Sequence, residues 1–205
     1  MRRRTRKKKG DAGSKIPQDF RSKTMGLLQN FSKPRGFFGR VISLLMNYGE
    51  HAKLGRWGMS FVELPIQADI LDLGCGGGGN LERWLECYPD AHVSGIDHSP
   101  ISVSIASGWN EKAIAQDRCE VILSSVYKLP FRDESFDAIS SFESIYFWKN
   151  MDKALAEAYR VLKPGGVLIL AVTHDRESKC CSMIKKIHGA RLYDEKELKA
   201  YLENA

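Results

Sequence analysis

Asp69-Ile70-Leu71-Asp72-Leu73-Gly74-Cys75-Gly76-Gly77-Gly78-Gly79-Asn80 decides how this chain of 205 residues is read. An apolar strand ends in an acid, breaks into glycines and runs into the helix-like Leu81-Glu82-Arg83-Trp84-Leu85. Glycine has no Cβ and tolerates positive φ, so the backbone here can lie against a ligand. The first N–H groups of the following helix have no intrahelical partner. A turn of this kind, after the first strand of an α/β unit, is where nucleotide-like cofactors sit.

Outward from that turn, strand and helix signals alternate. Ile70–Leu73 reads as a short buried strand, and Asn80–Tyr88 as a helix capped by Asn80 and stopped by Pro89. His92–Ile96 is a second strand ending at Asp97. Ser99-Pro100 then sets a cap and a first-turn proline before a helix to about Gln116, with Ile101, Ile105 and Trp109 on one face. Cys119–Leu123 and Phe136–Ser140 read as strands three and four. A helix from Asp152, with Leu155, Tyr159 and Leu162 on one stripe, stops at Lys163-Pro164-Gly165-Gly166 before an apolar fifth strand, Val167–Val172. The fold class that follows is α/β, a Rossmann-like, mostly parallel sheet with helices on both faces.

Ahead of the sheet, Phe37/Phe38, Val41/Ile42 and Leu44/Leu45 recur at helical spacing, followed by a loop holding Tyr48, His51 and Trp57-Gly58. The expected organisation is a basic, disordered tail over 1–35, an N-terminal helical cap over 36–66 and a cofactor-binding domain over 67–205. A charged amphipathic helix with Leu198, Tyr201 and Leu202 closes the chain.

The formal net charge of +6 belongs to the tail rather than the body. Residues 1–9 carry seven basic side chains, and without them 24 basic residues face 25 acidic ones. Such a block stays solvated or rests on an anionic polymer, so nucleic acid is a partner only through this tail. Met25 reads as an alternative start that would make the tail dispensable. No apolar run approaches the roughly 18–20 residues needed to span a bilayer. Cys75, Cys87, Cys119, Cys180 and Cys181 show no Cys-x-x-Cys spacing. They read as reduced thiols of a cytoplasmic protein, with no disulfide frame and no metal site.

Gly74-x-Gly76-x-x-Gly79, with Asp97 about 20 residues on, satisfies a dinucleotide fingerprint. Other stretches point elsewhere. Leu71-Asp72-Leu73-Gly74-Cys75-Gly76-Gly77-Gly78 is the first of these, and Gly95-Ile96-Asp97-His98-Ser99 the second. Leu129-Pro130-Phe131 followed by Ser135-Phe136-Asp137 is the third, and Glu157-Ala158-Tyr159-Arg160-Val161-Leu162-Lys163-Pro164-Gly165-Gly166 the fourth. In these four, in this order, the chain resembles the class I S-adenosylmethionine (SAM)-dependent methyltransferases of the small-molecule type over roughly residues 35–203. Met46-Asn47-Tyr48-Gly49-Glu50-His51 with Trp57-Gly58 also looks like a bacterial subgroup of that family. Nicotinamide enzymes have no reason to carry the last two of the four stretches.

The resemblance implies SAM as cofactor and S-adenosyl-L-homocysteine (SAH) as product. Asp72 would hold the methionine amino group, directly or through water. Gly74, Gly76 and Gly78 would let the turn approach the cofactor, with Cys75 contributing backbone. Asp97 would accept both ribose hydroxyls, and Val126 would meet the adenine through its N–H. Ser125 stands where the family usually has an Asp, so a weaker adenine contact is expected. His98 has two readings, a flank for the adenine or an exposed loop histidine.

Glu143 and His51 are the candidates for a general base, needed only where the acceptor nucleophile is protonated. Tyr146, Phe147 and Trp148 read either as a cation–π wall or as an aromatic core patch. Strand four is not followed by the Asn/Asp-Pro-Pro-aromatic tetrapeptide of DNA amino-methyltransferases, which favours a small-molecule acceptor.

The family closes its sheet with strands six and seven, whereas this chain stops after Tyr201-Leu202-Glu203-Asn204-Ala205. The expectation is a truncated copy lacking those two strands, with strand five as a bare apolar edge and homodimerisation as one way to cover it. Two competing functions stay open at this point: a SAM-binding protein that does not catalyse, and an NAD-type oxidoreductase.

Overall fold

The computed structural model describes residue 34 and residues 36–45, 47–173, 184–187 and 189–204. The tail expectation, Met25, Met46 and the Cys180-Cys181 pair lie outside these residues. Five strands form one sheet: β1 (Asp69–Leu73), β2 (His92–Asp97), β3 (Cys119–Leu123), β4 (Phe136–Phe142) and β5 (Leu162–Ala171). Their order is β3-β2-β1-β4-β5, and every ladder is parallel. Parallel strands need covered faces and therefore read as apolar runs.

Strand periodicity splits β1 between two cores. Ile70 packs on one face with Trp84, Val93 and Ala138. Leu71 and Leu73 pack on the other with Ile139, Leu155 and Val161. The first face is covered by α2 (Gly49–Met59), α3 (Gly79–Cys87) and α4 (Pro100–Trp109), the second by α6 (Met151–Val161) and α7 (Glu195–Glu203). The other α-helices among the described residues are α1 (Gly36–Leu45) and the short α5 (Glu111–Ala115).

Several elements differ from the sequence expectation, each for a local reason. The segment expected to loop past Tyr48 is helix α2. Its buried face is Ala52, Leu54, Gly55, Gly58 and Met59, with Gly55 against Asn80 and Gly58 against Phe142, so only Leu54 and Met59 mark it as apolar. Asn80 does not cap α3: Gly78, at φ 83°, is the N-cap, and Asn80 Oδ1 accepts from Arg83 Nη1 at 3.0 Å. The helix expected to run to Gln116 breaks at Asn110 into α4 and α5. Asn110 Nδ2 donates instead to the carbonyls of Gly78 (3.0 Å) and Ala106 (2.9 Å).

On α6 the buried stripe is Met151, Ala154, Leu155, Ala158 and Val161. Tyr159 is 68% exposed, and Leu162 already belongs to β5. The Lys163-Pro164-Gly165-Gly166 segment does not precede β5 but is part of it, where a register shift against β4 absorbs it. Ser99 does cap α4, accepting from the Ser102 N–H at 3.4 Å.

The two family-like stretches around residues 129–137 and 157–166 meet in space and do structural work. Arg160 donates to the carbonyls of Leu129 (3.1 Å) and Phe131 (2.9 Å). Glu157 accepts from the Leu129 N–H at 2.7 Å and pairs with Arg160 at 2.9 Å. Hydrogen bonds from Arg160 hold the Glu157 carboxyl down at about 2. Lys163 Nζ bridges Asp69 (3.0 Å) and Asp137 (2.8 Å), tying β5 to the amino ends of β1 and β4. The carboxyl ends of the strands are left for chemistry.

β5 is an edge among the described residues, with most of its side chains half-buried. α2 lies close to it, since a Cβ on Gly58 would sit 3.6 Å from Ile169 Cγ2. No described helix is long and apolar enough to cross a membrane. Among the described residues no group of three or more His, Cys, Asp or Glu forms a metal cluster, and Cys75, Cys87 and Cys119 are free thiols.

Candidate cofactor site

The glycine turn after β1 uses positive φ at Gly74 (76°), Gly76 (55°) and Gly78 (83°). The Gly74 and Cys75 N–H groups both donate to the Ile96 carbonyl at 2.9 Å, which binds the turn to the end of β2. The glycines then divide their duties. A Cβ on Gly76 would meet nothing within 4 Å, so this face is open to a ligand. At Gly78 a Cβ would lie 2.7 Å from Ala106 Cα, so that glycine serves helix packing.

Beside the turn lies a cavity of about 410 Å³, within the roughly 300–1,000 Å³ of small-ligand sites. Of the residues singled out from sequence, Gly74, Gly76, Asp97, His98, Ser125, Val126 and Glu143 line it. Cys75, Gly78, Asp72 and His51 do not. The Cys75 side chain belongs to the core, where burial pushes its thiol well above the ordinary range. His51 is half-buried on α2.

Asp97 is the acid on the cavity wall. Its Oδ2 accepts from the Gly76 N–H at 3.1 Å and its Oδ1 from the Ser99 N–H at 2.8 Å. Burial raises its pKa above the usual carboxylate value, against the pull of those N–H donors and of His98. His98 Nδ1 lies 3.7 Å from Asp97 Oδ1. Ser125 Oγ accepts from the Tyr127 N–H at 3.3 Å, so its hydroxyl proton is available to point elsewhere.

Asp72 sits behind this wall, only 2% exposed. Period-two alternation places it on the Trp84 side of the sheet, with Ile70. Ser140 Oγ donates to Asp72 Oδ1 at 2.7 Å, and Trp84 Nε1 donates to Ser140 Oγ at 3.1 Å. Burial, with the nearby Asp97 charge, pushes the Asp72 pKa up to about 7, despite the Ser140 hydrogen bond and the Arg83 cation.

The far end of the cavity is built by the end of β4. Glu143 lines it at φ 59°, a left-handed backbone at a non-glycine residue. Such conformations cost roughly 1–3 kcal/mol and concentrate at functional sites. Glu143 Oε1 accepts from the Tyr146 hydroxyl at 3.4 Å and from the Thr173 N–H. The aromatic run divides: Phe147 and Trp148 line the cavity, while Tyr146 is buried in a side core with Ile184 and Leu192.

Sequence reading missed the contribution of the N-terminal cap. Asn47 Nδ2 donates to the Gly77 carbonyl at 2.9 Å, and its Oδ1 accepts from the Gly79 N–H at 3.1 Å. Arg83 also donates to the Asn47 carbonyl. Pro34 and Ser43 reach the cavity itself. A one-turn polar clamp has no periodic signature, and the cap lies 30 or so residues away in sequence, so only the folded chain brings it to the glycine loop.

The residues present fit an adenosyl cofactor. A buried carboxylate beside a sterically open glycine suits a ribose diol. Ser125 and the Val126 backbone edge the same cavity, and the buried Ser43 Oγ has no hydrogen-bond partner among the described residues.

Comparison with known proteins agrees. A family model described as "Methyltransferase domain" matches residues 71–170. Erythromycin 3''-O-methyltransferase of Saccharopolyspora erythraea is 38% identical over 102 residues, which cover 50% of this chain and 33% of that protein. 24-methylenesterol C-methyltransferase 2 of Arabidopsis thaliana is 38% identical over 111 residues, 54% of this chain and 30% of that one. The chain therefore spans about a third of the length of the relatives it matches. Among solved structures, the [4+2]-cyclase SpnF superposes with a TM-score of 0.64 at 25% identity, covering 75% of this chain and 56% of that one. Geranyl diphosphate C-methyltransferase from Streptomyces coelicolor A3(2), solved with S-adenosyl-L-homocysteine, gives a TM-score of 0.64 at 17% identity, covering 75% and 58%. Residues 71–170 thus match a methyltransferase domain, and the sequence relatives that the chain is similar to are methyltransferases.

Proposed function

We propose that this chain catalyses methyl transfer from SAM to a small-molecule acceptor. The observation that carries the reading is a single cavity with the Asp97 carboxylate beside the glycine turn and the Glu143 carboxylate, with Phe147 and Trp148, also on its wall. When bound, SAM supplies a methyl group activated by a sulfonium cation. Asp97 would hold the ribose hydroxyls, while Ser125 and Val126 would edge the adenine. Asp72, shut behind the turn, would act by its charge: a ligand ammonium close to that wall draws its proton away.

On the acceptor side Glu143 would take the proton from a protonated nucleophile. It lines the cavity and His51 does not, which supports Glu143 as the base. Most of the acceleration in such a displacement comes from holding donor and acceptor in line, a task suited to Phe147 and Trp148. A small-molecule acceptor is favoured because relatives include erythromycin and sterol methyltransferases.

The test has two stages. Calorimetry with SAM, SAH and NAD(H) should show binding of the first two alone. Asp97→Asn should weaken SAH binding about 10- to 150-fold, the loss of a charge-assisted hydrogen bond of about 1.5–3 kcal/mol. Labelled methyl transfer to a metabolite pool then separates an enzyme from a non-catalysing SAM binder. Protection by NAD(H) and not by SAM would refute the proposal.

A further inference from the structure

Ser43 on α1 lines the cofactor cavity, yet no motif drew attention to it. It is 1% exposed, and its Oγ makes no hydrogen bond among the described residues. A serine inside a helix ordinarily bonds a carbonyl of the preceding turn or faces solvent. Ser43 does neither. Buried polar atoms without partners are rare in native proteins and call for an explanation. The other such side-chain atom among the described residues, Arg83 Nε, is not on the cavity wall.

The backbone that carries this hydroxyl is also held in place. Asn47, one helical turn further on, clamps the Gly77 carbonyl and the Gly79 N–H. The α1 backbone touches the glycine loop so closely that a Cβ on Gly77 would lie 2.3 Å from the Ser43 carbonyl oxygen. A buried donor–acceptor group thus lies beside the cofactor turn, on a residue that lines the cavity, with no partner among the described residues.

We propose that Ser43 is a cofactor-contacting residue, whose hydroxyl hydrogen-bonds the polar edge of SAM bound in this cavity. The inference rests on the functional reading above and adds a contact from the N-terminal cap, outside the residues matched by the family model. It also gives the cap a role: closing α1 against the loop completes the site as well as the core.

The experiment pairs SAH calorimetry with urea unfolding of the ligand-free protein, for wild type and Ser43→Ala. The contact predicts opposite signs in the two assays. SAH affinity should fall about three- to tenfold, the range of one ordinary hydrogen bond. The ligand-free urea midpoint should hold or rise, because the substitution removes an unsatisfied buried hydroxyl. Unchanged SAH affinity overturns the proposal and assigns the hydroxyl to a buried water. A lower ligand-free midpoint, or failure to fold, makes Ser43 structural and overturns it as well. If wild type itself ignores SAH, the functional reading falls together with this one. If wild type binds and Ser43→Ala binds equally, only the Ser43 contact falls.

Discussion

Replacing Asp72 by Asn removes a buried charge while keeping an oxygen for the Ser140 hydroxyl to reach. Asp72 is 2% exposed, and burial lifts its pKa from 3.8 to about 7. Between those values the native state holds a proton that the unfolded chain has released. Stability contributed at this site is therefore complete below pH 3.8, declines as pH rises and is fully lost above about 7. Linkage makes the penalty about 1 kcal/mol at pH 4.5 and about 4 kcal/mol at pH 8. Asp72→Asn should escape it at both, so its gain over wild type should grow by about 3 kcal/mol across that range. Urea unfolding of the ligand-free protein at the two pH values, comparing variant with wild type, reads Asp72 together with its electrostatic neighbour Asp97, because titrations not coupled to Asp72 cancel. A gain of equal size at both pH values, or a loss that deepens at pH 8, would refute the claim that Asp72 is a desolvated carboxylate.

The glycine turn offers a sharper contrast of roles. Gly78→Ala should cost about 3 kcal/mol or more in urea unfolding, since it combines a left-handed backbone with overpacking against Ala106. Gly76→Ala meets open space, so it should cost only about 1–2 kcal/mol of stability while abolishing SAH binding in calorimetry. Equal stability losses would dissolve the division. Ser125→Asp should tighten SAM binding about threefold or more by turning a neutral contact at the cavity edge into a charged one. Unchanged affinity in calorimetry would show that Ser125 does not meet the adenine.

Much of the fold was legible because it rests on short-range patterns. The runs at Ile70–Leu73, His92–Ile96 and Cys119–Leu123 fall within β1, β2 and β3, since parallel strands covered on both faces carry mostly apolar or small residues. Ser99-Pro100 announces α4 because capping and a fixed proline φ act within one turn. Where a helix makes its closest contacts through glycines, as α2 does at Gly55 and Gly58 with only Leu54 and Met59 as large buried residues, periodicity is faint. Where a side chain is recruited by a distant partner, local rules mislead. Asn80 carries a capping residue's chemistry but accepts from Arg83, and Asn110 breaks a helix to reach Gly78.

The site divides along the same line. From the sequence alone come the glycine turn, the acid at the end of β2 and the likeness to methyltransferases, because a turn, its glycines and the next strand are close neighbours along the chain. Only the tertiary structure decided which of those residues face a ligand. It set Asp97 on the cavity wall and Asp72 behind it, opened Gly76 and packed Gly78, and brought Ser43 and Asn47 onto the loop from some 30 residues away. Alternation along a strand sets which face a side chain takes, but whether that face meets a cavity or a packed neighbour depends on segments far apart in the chain.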